Sequence, residues 1–128
     1  LKTKIRIIVG FIISTVLISF TTNQNQETSI LGSWISEVDN NFKMVFSGNT
    51  CAWMYSGHPS TTYSFKLSNT SPQCGEIVPA SSEINYLKLV NLDDSNDGIC
   101  HEVYSLSATT LTLRPVDKSG FLIFNRQP

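Results

Sequence analysis

Past residue 20 this chain has no apolar run long enough to span a bilayer and no periodic segment of helical length. That excludes helical bundles and alternating βαβ folds from the outset. Cysteine and histidine are scarce, three and two respectively in 128 residues. None of Cys51, Cys74, Cys100, His58 and His101 form the spaced pairs that structural zinc sites use, so no metal site is expected. His58 lies beside Pro59 in a turn and His101 lies on a strand, with no nucleophile spacing around either. No catalytic residue, enzyme activity or cofactor is therefore expected. Basic charge is sparse too. After residue 20 it comprises Lys43, Lys66, Lys88, Arg114, Lys118 and Arg126, scattered along the chain rather than gathered into the patch that a phosphate backbone needs. Nucleic-acid binding is excluded. The acidic stretch has Asp93, Ser95, Asp97 and Gly98 at the first, third, fifth and sixth places of a calcium loop, but Tyr104 stands where the closing glutamate belongs. It reads as a solvated hairpin turn.

The longest apolar run is at the start. Lys2, Lys4 and Arg6 precede Ile7-Ile8-Val9-Gly10-Phe11-Ile12-Ile13 and Val16-Leu17-Ile18, and polar Thr21-Thr22-Asn23-Gln24-Asn25-Gln26 follows. A positive start, a short apolar core and a polar exit are the pattern of a secretory signal. The expected organisation is a signal peptide over 1–20 forming a hydrophobic helix, a polar linker over 21–29, and one domain over 30–128. The mature protein is then periplasmic or extracellular, and meets the membrane only if the signal stays uncleaved. Leu17-Ile18-Ser19 approaches a bacterial lipoprotein signal, but Phe20 stands where the acylated cysteine would be. Removing residues 1–20 takes three of nine basic residues and none of ten acidic ones, which leaves a net charge of −4.

The rest of the chain alternates apolar and polar residues in eight short stretches separated by turn clusters. These are Leu31 to Glu37, Phe42 to Ser47, Thr50 to Tyr55, Tyr63 to Leu67, Ile84 to Asn91, Ile99 to Leu106, Thr109 to Arg114 and Phe121 to Asn125. Only the connection after Leu67, rich in Ser, Asn, Pro and Gly, is long. Short connections favour pairing between sequence neighbours, and eight strands so joined close most economically into an antiparallel up-and-down barrel. The fold class is all-β.

Alternation assigns faces. Phe42, Met44, Phe46, Cys51, Trp53, Tyr55, Tyr63, Phe65, Leu87, Leu89, Leu111 and Leu113 are expected inside. The sixth stretch is ambiguous, since either His101, Val103 and Ser105 or Cys100, Glu102, Tyr104 and Leu106 can face inward. Three cysteines allow one internal bridge. In a meander Cys51 opens the third strand and the loop holding Cys74 follows the fourth, so both lie at one end, whereas Cys100 opens the sixth at the other. The expected disulfide is Cys51–Cys74, with Cys100 a small half-buried residue, although the loop is long enough for Cys74 to reach elsewhere.

Gly32-x-Trp34 on the first strand, the eight-strand meander and Arg126 directly after the last strand resemble the lipocalin and calycin group. The similarity is to the small exported lipocalin-like domains of bacteria, with comparable segments at Leu31-Gly32-Ser33-Trp34, Cys51-Ala52-Trp53-Met54-Tyr55-Ser56-Gly57 and Leu106-Ser107-Ala108-Thr109-Thr110-Leu111-Thr112-Leu113. The resemblance implies that Trp34 plugs one end of the barrel, with Arg126 stacked on it across the closure. It also implies a small hydrophobic ligand inside, lined by Phe42, Met44, Phe46, Trp53, Tyr55, Tyr63, Phe65, Leu87 and Leu89. The chain is shorter than typical lipocalins and shows no helix after the barrel, and an eight-stranded barrel can be filled by its own side chains. The alternative is a protein-binding barrel with a packed interior, for example an inhibitor of an exported protease. It would act through the turn Ser56 to Thr61 and the long loop from Ser68 to Ser82.

Overall fold

A computed structural model describes residues 30–70, 73–78 and 84–128. The expected signal helix over 1–20 and the linker over 21–29 lie outside these residues. Eight antiparallel strands form one closed barrel in sequence order: β1 (Gly32–Ser36), β2 (Phe42–Ser47), β3 (Thr50–Tyr55), β4 (Thr61–Ser68), β5 (Asn85–Asn91), β6 (Gly98–Leu106), β7 (Thr110–Pro115) and β8 (Leu122–Arg126). Each strand pairs with its neighbour. β1 closes on β8 through Trp34↔Arg126, Ile35↔Asn125 and Ser36↔Phe124. Closure leaves no sheet edge exposed for another chain to extend.

The core is the lumen. Trp34, Met44, Cys51, Leu87, Leu89, Leu111, Leu113 and Phe124 are fully buried there, and Phe46, Leu67, Tyr63 and Val103 nearly so. Period-two alternation places them, because register partners share a face: Met44↔Trp53, Cys51↔Tyr63, Phe65↔Leu89 and Leu87↔His101 are opposed pairs.

β6 resolves its ambiguity with a bulge. Its register with β7 runs His101↔Pro115, Glu102↔Arg114 and Val103↔Leu113, then shifts to Ser105↔Thr112 and Leu106↔Leu111. The extra residue is Tyr104, which is 60% exposed. Both sequence patterns are therefore half right: Ile99, His101 and Val103 face the lumen before the bulge, and Leu106 packs on the core after it.

Two expectations need correction. The disulfide joins Cys74 to Cys100, and Cys51 is a free buried thiol. The long connection after β4 does not stay at its own end of the barrel. Its described residues Cys74 and Gly75 lie on the outer wall, in one groove with Lys88 and Val90 of β5 and Ser95 and Asn96 of the β5–β6 turn. Cys51 points into the lumen and Cys100 outward, so Cys74 on the outer wall can reach only the latter. Tyr55, expected inside, is 43% exposed. It opposes Phe42 in register but is the last residue of β3, beyond the rim, where the chain bends into the Ser56–Ser60 turn.

Candidate functional site

The barrel offers two kinds of site, its lumen and its outer wall. One end of the lumen is closed by Trp34. The indole Nε1–H donates to the Ile30 carbonyl at 2.8 Å, and the Arg126 guanidinium lies 4.2 Å from the ring centroid. The same guanidinium donates through Nη1 to the Leu31 carbonyl at 2.6 Å and through Nε to the Ala108 carbonyl at 2.7 Å. A planar fork that stacks and donates at once needs arginine rather than lysine. Gly32 makes room for it: its φ is +121°, and a Cβ there would stand 2.8 Å from Arg126 Nη1. Arg126, Leu31, Ala108 and Trp34 thus tie the start of β1, the β6–β7 turn and the end of β8 together.

Above that plug the lumen is crossed by aromatic contacts. Phe42 lies 4.9 Å from Trp53 and 5.4 Å from Phe124 between ring centroids, and Phe46 meets Phe65 edge-on at 5.1 Å. Trp53 also touches Tyr63 at 5.9 Å and, with β4 and β5 intervening in the wall, reaches 6.5 Å from His101. Such tilted and edge-on geometry is the favourable way to pack rings. Of the nine residues expected to line a cavity, Phe42, Met44, Phe46, Trp53, Tyr63, Phe65, Leu87 and Leu89 are brought together in this core, and Tyr55 is not.

Two polar groups in this lumen were not among the sequence candidates. His101 Nδ1 and Asn85 Oδ1 are buried without a hydrogen-bond partner among the described residues. Burial pushes the His101 pKa down to about 4, with Asp117 opposing it weakly. The imidazole is therefore neutral at pH 7. Its folded pKa lies below its ordinary value near 6.5, so the unfolded chain binds more protons between those values. The stability that this contributes is complete above about pH 6.5 and is lost as pH falls towards about 4. Urea unfolding should show acid destabilisation across this window that His101→Leu reduces. Equal losses in the two proteins would contradict it. The period-two pattern marked His101 as inward in one of its two phases, but nothing in the sequence showed that it would lack a partner. Cys51, in the same core, has its thiol pushed up to about 12 by desolvation, which makes it a poor nucleophile.

The outer wall carries exposed side chains with specific geometry. Tyr104, placed outward by the bulge, meets Phe121 edge-on at 5.0 Å, and these two are 60% and 52% exposed. Nearby on β6 and β7, Arg114 pairs with Glu102 at 2.5 Å. On the other side of the β1–β8 closure a groove of about 560 Å³ lies over β1, β2 and β3 beneath the Ser56–Ser60 turn. Two of the three carboxylates of the Asp93–Gly98 stretch are engaged in the turn itself, Asp97 accepting from Asn91 Nδ2 at 3.1 Å and Asp94 from the Asn96 amide at 3.0 Å.

No protein-family model matches the chain, and no curated protein and no solved structure matches it. The closed eight-stranded antiparallel barrel is compatible with a lipocalin-like fold, and that compatibility rests on topology alone.

Proposed function

We propose that this is an exported protein-binding barrel whose interior is its own core and whose partner, for example an exported protease, is met by its turns and outer wall. The observation that carries this reading is Trp53. Its ring centroid lies 6.5 Å from that of His101 across the barrel while Phe42 packs against both Trp53 and Phe124, which supports an interior occupied by side chains. The exposed Tyr104–Phe121 pair supports an external partner, since paired aromatic surface in water is characteristic of protein contacts. The Cys74–Cys100 bridge supports export, because such bonds persist in oxidising compartments.

One observation favours a second reading, a small hydrophobic ligand held inside the barrel. Among the described residues His101 Nδ1 and Asn85 Oδ1 have no hydrogen-bond partner, and a ligand bearing a hydrogen-bond donor would satisfy them. Titration with the apolar dye N-phenyl-1-naphthylamine separates the two. A filled barrel gives no saturable fluorescence gain, and Trp53→Ala, by opening a cavity, creates a binding site. Saturable one-to-one uptake by the unmodified protein that Trp53→Ala abolishes would favour the carrier and overturn the filled barrel.

A further inference from the structure

We propose that the groove on the outer wall of β1–β3 binds a saccharide. Its floor is built by register: Ile35 opposes Lys43, and Lys43 opposes Met54, so the three share one outer face of adjacent strands. Its far wall is the β3–β4 turn, held over the floor by backbone bonds from His58 N to the Tyr55 carbonyl and from Ser56 N to the Asn41 carbonyl, each 3.0 Å. The groove's volume of about 560 Å³ falls within the usual range for small-molecule sites, roughly 300–1,000 Å³.

Tyr55 supplies an aromatic platform that is fixed before any ligand arrives. The Asp39 carboxylate lies near its hydroxyl and raises the pKa of that group, Asp39 itself accepts the Asn41 amide at 2.9 Å, and the Tyr55 ring lies 5.6 Å from that of His58. These contacts hold the ring while leaving it 43% exposed. Asn40, Asn41, Gln127, Ser56 and Ser60, which carry carboxamides and hydroxyls, line the same groove. Carboxamides and hydroxyls each donate and accept, which suits vicinal hydroxyl groups that do the same. Neither the Asn40 nor the Gln127 side chain makes a hydrogen bond among the described residues.

The donor set decides the ligand class. A wholly apolar molecule would strip water from these polar groups without replacing it. A polyanion would want several cations, whereas Lys43 is the groove's only lysine or arginine, and the Asp39 carboxylate accepts the amide of Asn41 in the groove wall. A pyranose fits both features. It offers an apolar ring face to Tyr55 and a rim of hydroxyls to the carboxamides, and a single carboxylate on the sugar would find Lys43. This inference goes beyond the protein-partner reading and does not depend on it.

The test is amide NMR of the full barrel titrated separately with maltose, cellobiose and diacetylchitobiose. Saturable shifts confined to residues 40–43, 54–60 and 127 are expected with at least one sugar. Tyr55→Ala should weaken that binding at least about tenfold, equivalent to about 1.4 kcal/mol. Because Tyr55→Ala also frees Asp39 and could loosen the turn, Gln127→Ala serves as the second variant. It lies outside the Tyr55–Asp39 pair, and it too should weaken binding while leaving the spectrum of the free protein otherwise unchanged. No saturable shift with any of the three sugars, shifts that map elsewhere, or shifts that survive both substitutions would overturn the proposal. So would groove shifts produced by an acidic tripeptide and by no sugar.

Discussion

Trp34→Ala is expected to cost about 3–5 kcal/mol of folding stability, the loss typical of a fully buried large aromatic. Trp34 has no exposed surface, and three interactions end with it: the bond from Nε1 to the Ile30 carbonyl, the stack under Arg126, and the packing of the lumen floor. A domain of this size has roughly 5–15 kcal/mol to lose, so urea unfolding should show a large fall in midpoint with little change in slope. The thermal midpoint should drop by at least about 12 °C. Arg126→Ala should cost less, since the cation-π contact is worth about 0.5–2 kcal/mol and the guanidinium is only partly buried. The two substitutions together should cost less than their separate losses combined, because each removes the same contact. A loss below about 1 kcal/mol for Trp34→Ala would show that the closure of β1 on β8 does not rest on this residue.

Breaking the Cys74–Cys100 bond ranks second. The cysteines are 26 residues apart, and closing a loop of that length lowers the entropy of the unfolded chain by an amount worth about 3.5 kcal/mol in the chain-entropy account. Cys74→Ser, Cys100→Ser and the double substitution should each lose about that much, because either single change already opens the loop. Cys51→Ala should leave the bond in place. In the unreduced protein the Cys51 thiol should resist alkylation until denaturant is added, given its burial and the raised pKa of its thiol. Peptide mapping under non-reducing conditions then reads the pairing directly. A fragment linking residues 51 and 74, or a thiol at residue 100 that is open to alkylation, would contradict it.

These two cases also mark how far the sequence could be read. The strands were legible because half-buried sheets write their burial in alternate residues: Phe42, Met44 and Phe46 against Lys43 and Ser47, or Leu111 and Leu113 against Thr110 and Arg114. Short turns fixed the neighbour pairing, and the closed eight-stranded barrel followed from it. The disulfide was not legible, since the path of the long connection over β5 depends on what its side chains find on that wall. Tyr86 shows the same thing. Its alternation places it outside, yet it is buried, and it lines a groove with Val78 of that connection. The bulge at Tyr104 carries no glycine or proline to announce it, so one phase had to be read along all of β6. Tyr55 failed for a geometric reason: parity says which face a residue takes, but not where the barrel's rim cuts across the strand.

The candidate sites divide along the same line. The lumen cluster of Phe42, Trp53, Phe65 and their neighbours could be assembled from alternation, whereas whether it encloses space depends on rotamers and on contacts across the barrel, which alternation does not encode. The outer groove was invisible to pattern reading. It gathers Asn40, Tyr55 and Gln127 from three separate places in the chain, and its floor comes from register rather than from any motif.

The central claim is that the barrel is filled by its own side chains and works from its outside. Native mass spectrometry of the protein purified from its native source tests this most directly. The account predicts the mass of the bare polypeptide, two hydrogens lighter than the reduced chain for the one disulfide, with no component released on denaturation. A reproducible extra mass of small-molecule size that stays through gentle ionisation and leaves on denaturation, in a protein whose Trp53→Ala variant no longer retains it, would contradict the account.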